Sequence, residues 1–101
     1  MPWRGQAVPR YNNRRKKLPL EVQRALNDVQ TAILKDPFVG EKKRGALSSV
    51  WVEKFRAQDD QYLVAYEIDE KVQTVTFLDI GQHENFYRDL ERYRKTRQSG
   101  E

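Results

Sequence analysis

The sequence predicts an α+β domain: a small antiparallel β-sheet with an N-terminal helix and a C-terminal helix packed on one face. Three observations predict it. Apolar residues recur at helical spacing over Val22, Leu26, Val29 and Ile33; the period then changes to two in three segments between residues 49 and 81; helical spacing returns at Phe86, Leu90 and Tyr93. At 101 residues the chain is a single domain, 1–101, with a limited core that a partner chain would help to cover.

Residues 1–17, MPWRGQAVPRYNNRRKK, contain two prolines, two asparagines and no clear period. They read either as a basic arm or as a short strand or helix, with a fourth strand near Gln6–Tyr11 as one option. Pro19 suits the first turn of a helix, where its missing N–H costs nothing. The helix then runs over Leu20–Lys35 and stops at Asp36, because Pro37 disfavours helix at the residue before it. DPFVGEKKRGAL is a loop. SVWVEKFRA, residues 49–57, is a strand with Val50, Val52, Lys54 and Arg56 on one face and Trp51, Glu53 and Phe55 on the other. QDDQ is a turn, which makes Asp59 and Asp60 turn residues rather than acids. YLVAYEI, residues 62–68, is apolar or aromatic on both faces, as a central strand is. DEK turns the chain into VQTVTFLDIG, residues 72–81, the third strand. These links are too short for crossovers, so the strands form a meander. The last helix starts near Glu84, and the polar tail 96–101 is flexible.

Composition excludes several chemistries. The chain has no cysteine, so it has no disulfide, thiolate metal site or cysteine nucleophile. One histidine makes a histidine-based zinc site a poor reading, and no metal or cofactor is expected. No apolar run approaches a membrane span or a signal-peptide core, so the expectation is a soluble, cytoplasmic protein without a membrane partner. The net charge of +4 is unevenly placed. Residues 1–20 hold six Lys or Arg and no acid, residues 21–91 hold nine bases against fourteen acids, and residues 92–100 hold four bases and no acid. Basic ends point to a polyanion, nucleic acid first, with an acidic protein as the blander reading.

There is no phosphate-cradling glycine pattern, GxSxG elbow or HExxH. What remains is a set of bases and aromatics: Lys54 and Arg56 on one strand face, His83 after the third strand, Tyr87 one helical turn later, and the loop triplet Lys42, Lys43 and Arg44. RNA carries its own nucleophile, the 2′-hydroxyl. Cleaving it without metal needs charge stabilisation, which Lys and Arg supply, and proton transfer near neutral pH, which His supplies. An aromatic ring can hold a splayed base. Each residue also has a bland reading: Lys54 and Arg56 as a solvated face, His83 as a helix-start surface residue, Tyr87 as core beside Phe86 and Leu90, the triplet as a loop charge cluster.

The succession KLPLEVQRAL, ILKDP, KKRGAL, YLVAYEID and IGQHENFYRDL resembles the RelE/ParE family of toxins from bacterial type II toxin–antitoxin modules, over roughly residues 14–95. The resemblance implies a compact sheet with two N-terminal helical segments and a C-terminal helix, a cognate antitoxin that wraps the toxin into a hetero-oligomer, and a ribosome or gyrase target. RelE-like members cut mRNA in the ribosomal decoding site without metal; ParE-like members poison DNA gyrase. Lys54 and Arg56 match the basic strand of the RelE branch. An arginine used there on the next strand is Leu63 here, and an arginine after the third strand is His83. His83 with Tyr87 four residues later is similar to the YafQ and HigB branches; those use further histidines or acids earlier in the chain, whereas this chain has no second histidine and its Asp60 lies one residue off the expected acid. The resemblance thus implies a metal-independent, ribosome-dependent endoribonuclease, an mRNA interferase that inhibits translation and arrests growth. In it Lys54, Arg56, His83 and Tyr87 are catalytic and Lys42, Lys43 and Arg44 bind RNA. The alternatives are a gyrase inhibitor without nuclease activity and a non-enzymatic RNA-binding module.

Overall fold

The computed structural model describes residues 3–82 and 86–99, with side chains as far as Lys95. The element order is β1 (Arg4–Ala7), α1 (Pro9–Arg15), α2 (Leu20–Lys35), β2 (Glu41–Lys42), β3 (Val50–Ala57), β4 (Asp60–Asp69), β5 (Thr74–Gln82) and α3 (Phe86–Ser99). The strands form one five-stranded sheet in the order β1-β5-β4-β3-β2. The three predicted strands, the predicted helix Leu20–Lys35 and the central position of β4 are all present.

Several expectations need correction. Of the readings open for the N-terminal stretch, the strand and helix hold and the arm does not, with the strand earlier than Gln6–Tyr11. It is a strand over Arg4–Ala7, parallel to β5 in the register Arg4↔Thr74 to Ala7↔Phe77, followed by a seven-residue helix. The partner lies about seventy residues away in sequence, so no local period announces it. Pro9 starts α1 at the position where proline costs nothing. Tyr11 buries its ring from α1, stacked on Phe77 with centroids 5.4 Å apart. The third predicted strand begins at Thr74 rather than 72, because Gln73 takes φ 48° in the turn. The predicted tail is helical through Ser99, and the predicted helix start at Glu84 lies outside the described residues.

The helices do not share one face. Val22, Leu26 and Ile33 of α2 and Tyr11 of α1 pack on Tyr62, Val64, Tyr66, Val75, Phe77 and Ile80. Phe86 and Leu90 of α3 pack with Leu47 on Val50, Val52, Leu63, Ala65 and Leu78, the opposite face. A sheet whose central strand is apolar on both sides requires cover on both. Leu78 and Ile80 are two apart yet belong to different faces. The pairing runs Val64↔Ile80, Ala65↔Asp79 and then Tyr66↔Phe77, so Leu78 is an extra residue in β5. This bulge resets the alternation for everything after it and brings Gly81, paired with Leu63, onto the α3 face.

Candidate functional site

Lys54 pairs with Leu63, and Arg56 with Gln61, on the α3 face of β3. α3 covers Val50 and Val52 but not this end of the strand, and both cations are exposed. The two-residue loop Gln58–Asp59 turns the chain with both residues at positive φ, 53° and 67°, the geometry that matches strand twist. Arg56 Nη2 donates to the Asp59 carbonyl at 3.3 Å, which ties this cation to the turn.

The loop triplet divides. Lys42 pairs with Trp51, whose ring packs on the α2 face, whereas Lys43 donates its N–H to Val50 and sends its side chain to the α3 face. Lys42 is therefore not brought together with the other predicted residues. Arg44 is exposed. Lys43 Nζ lies 2.7 Å from Glu41 Oε1 and 4.8 Å from the centroid of the Tyr87 ring. Its pKa is raised, first by the hydrogen bond to Glu41 and further by one to the Tyr87 phenol. The Glu41 carboxyl is correspondingly lowered by Lys43, with a smaller contribution from Lys54. Tyr87 packs partly against the α3-face core and meets Phe86 edge-on at 5.5 Å. Lys43 thus bridges the Glu41 carboxylate and the Tyr87 ring, and Lys54 acts on the same carboxylate at longer range. His83 lies outside the described residues; the strand ladder is described to Tyr62↔Gln82.

Four charged residues of this region, Asp79, Arg10, Arg14 and Glu41, were not singled out from sequence. Asp79 is fully buried, yet Arg10 Nε approaches its Oδ2 at 3.2 Å and Arg14 Nη1 its Oδ1 at 3.3 Å. Its own Oδ1 also accepts from Ile80 N–H at 2.9 Å. Burial raises the Asp79 pKa; the two guanidiniums and the Ile80 N–H oppose that shift. The signal was available: a carboxylate inside the strand segment FLDIG, and two arginines four apart, which share a helix face. Glu41 gave no such signal. Among the described residues no group of three or more His, Cys, Asp or Glu could hold a metal ion, and no helix is long and apolar enough to cross a membrane.

α3 is fixed at its far end. Arg94 Nη1 donates to the Ser48 carbonyl at 2.8 Å and its Nη2 lies 3.8 Å from Glu67 Oε2, so the helix is tied to the loop before β3.

A sheet of this order, with helices on both faces, is the RelE-like fold expected from the sequence. The chain belongs to the family described as ParE-like toxin of type II bacterial toxin–antitoxin system, matched over residues 6–91. Solved structures share the fold. A mutant of the Escherichia coli toxin RelE in the free state superposes with a TM-score of 0.76 at 20% identity, covering 94% of this chain and 98% of that one. The toxin–antitoxin complex RelBE2 from Mycobacterium tuberculosis gives 0.71 at 21%, covering 82% and 100%. The RelE–RelB complex from Pyrococcus horikoshii gives 0.60 at 15%, covering 83% and 98%. Comparison with curated protein sequences finds no match.

Proposed function

We propose that this toxin is a metal-independent endoribonuclease that cuts mRNA on the ribosome. The reading rests on one juxtaposition: Lys54 and Arg56 are exposed on the sheet face that also carries Lys43, whose ammonium lies against the Tyr87 ring. The 2′-hydroxyl of the substrate attacks the adjacent phosphorus, the P–O5′ bond breaks, and a 2′,3′-cyclic phosphate and a 5′-hydroxyl result. Lys54 and Arg56 neutralise the charge that grows on the phosphoryl oxygens, and such electrostatic stabilisation usually contributes more to the rate than any other single effect. His83 moves the proton, as general base to the 2′-oxygen or general acid to the 5′-oxygen. Tyr87, its phenol held by Lys43, orients or stacks on a nucleotide. Lys43 and Arg44 add sequence-independent attraction for RNA, and Lys42, on the other face, contributes only at longer range. The ribosome supplies the substrate's shape. A cognate antitoxin is the partner that the toxin–antitoxin complexes among the structural neighbours support; in this reading it covers the surface with an acidic or amphipathic segment that orders on binding.

The test is expression of wild type and His83→Ala in cells with mapping of mRNA 5′ ends. In-frame cuts with 5′-hydroxyl ends are expected from the wild type, with at least about a 10²-fold loss for alanine. Inhibition of supercoiling by purified gyrase without transcript cleavage would instead make this chain a gyrase inhibitor.

A further inference from the structure

The buried carboxylate Asp79 has no part in the cleavage reaction, and its position is unusual. A buried ion pair seldom stabilises a fold more than apolar residues of the same size would. What it does provide is direction, and here it directs two arginines of α1 around the edge of β5.

The two arginines end differently. Arg10 continues onto the Tyr93 ring, 4.8 Å from its centroid, with 23% of its side chain exposed. Arg14 keeps 37% of its side chain exposed. Its Nη1 lies 3.7 Å from the point that a Cβ on Gly81 would occupy, which places the guanidinium in ordinary contact distance of this strand position. Gly81 pairs with Leu63 and Leu63 with Lys54, a row across three strands on the α3 face. Lys54 and Gly81 end that row, about 10 Å apart at two strand spacings, and the Arg14 guanidinium lies beside Gly81. Between the two cations Leu63 is fully buried, and Phe86 at the start of α3 packs 3.5 Å from the same Gly81 point. Beside Arg14 a cleft of about 390 Å³ opens between α1 and α3, lined by Arg10, Arg14, Asp89, Arg92 and Tyr93.

We propose that Arg14, aimed by Asp79, binds a backbone phosphate of the RNA next to the one held by Lys54 and Arg56. The inference rests on the nuclease reading for its substrate class but not for its geometry. α1 thereby supplies a cation that β4 and β5 do not. Asp79 is a positioning residue; Arg14 touches the ligand, and its planar fork suits phosphate oxygens.

The test titrates a fluorescent, cleavage-resistant 2′-O-methyl RNA oligonucleotide against the full chain at several salt concentrations. Arg14→Ala is expected to weaken binding about 5–10-fold at about 50 mM salt and to lower the salt slope by about 1. Lys71→Ala, an exposed cation in the distant β4–β5 turn, leaves the slope unchanged. Asp79→Asn makes the protein more positive by one charge, so general electrostatics predicts tighter binding; loss of aim predicts weaker binding. Equal or tighter binding by folded Asp79→Asn, or an Arg14→Ala slope no different from that of Lys71→Ala, overturns the proposal. Should Asp79→Asn fail to fold in a thermal melt, Arg14→Lys decides. It keeps the charge but loses the fork, so at least threefold weaker binding supports the site and unchanged binding overturns it. Transcript cleavage with ribosomes is scored separately. Arg14-dependent binding without cleavage removes the nuclease and keeps the phosphate site; cleavage with Arg14-independent binding does the reverse.

Discussion

The two faces of the sheet are built from similar apolar residues but closed to different extents. On one face α1 and α2 cover the sheet along its length, from Val75 to Tyr62, and even the polar groups are sealed in. Tyr66 Oη donates to the Pro37 carbonyl at 2.6 Å and accepts from Gly40 N–H at 3.2 Å, and burial pushes its pKa up to about 12. On the other face α3 covers Val50, Val52, Leu63, Ala65 and Leu78, and the rest of β3 presents Lys54 and Arg56 to solvent. The lesson is a division of labour within one strand. Residues of β3 that are two apart on one face pass from core to candidate site within four positions, because one helix is shorter in its reach than the strand beneath it.

Substitutions can break or sharpen this contrast. Leu26 is fully buried on the closed face. Leu26→Ala should cost about 2–5 kcal/mol in chemical denaturation, with cleavage per folded molecule unchanged. Lys54→Ala on the open face should do the opposite: a loss of about 10²–10³-fold in cleavage, with stability within about 0.5 kcal/mol of wild type. If both variants lost stability alike, the open face would be structural. A smaller effect is expected at Gly40, where an added Cβ would lie 2.4 Å from Tyr66 Oη and 3.0 Å from the Val52 carbonyl oxygen. Gly40→Ala should cost about 1–3 kcal/mol by this overpacking, visible as a lower denaturation midpoint.

The smallest effect concerns Asp79, at the edge where the two faces meet. Its pKa is raised in the folded protein, by burial foremost. A raised folded value means that its proton-linked stability is complete below the ordinary carboxyl range and is lost as pH rises through the folded pKa. Asparagine has no such dependence. Melting temperatures measured from about pH 3 to about pH 7 should therefore show the wild type falling relative to Asp79→Asn. A difference constant with pH would mean that the carboxylate is not perturbed.

Much of this was legible in the chain. Val22, Leu26, Val29 and Ile33 mark α2 because helical periodicity is a local property. The two-sided apolar run YLVAYEI marks the central strand for the same reason, and the alternation of β3 put Lys54 and Arg56 on one face. What escaped reading depends on distant partners. β1 exists only as a parallel neighbour of β5, and α1 is a seven-residue helix whose Tyr11 needs Phe77 to be buried against. The triplet Lys42, Lys43 and Arg44 reads as one charge cluster, but pairing of β2 with β3 sends Lys42 and Lys43 to opposite faces.

The amino-acid sequence alone determined the class of fold, the positions of its long helix and central hairpins, and the stock of cations and aromatics available to a site. These follow from periodicity and composition, which act over a few residues at a time. Only the tertiary structure decided which of those groups meet. A single extra residue in β5 turns Gly81 toward the α3 face, and a buried carboxylate pulls Arg14 across to it. Such meetings depend on strand register and on contacts between residues far apart in the chain, and neither leaves a local pattern.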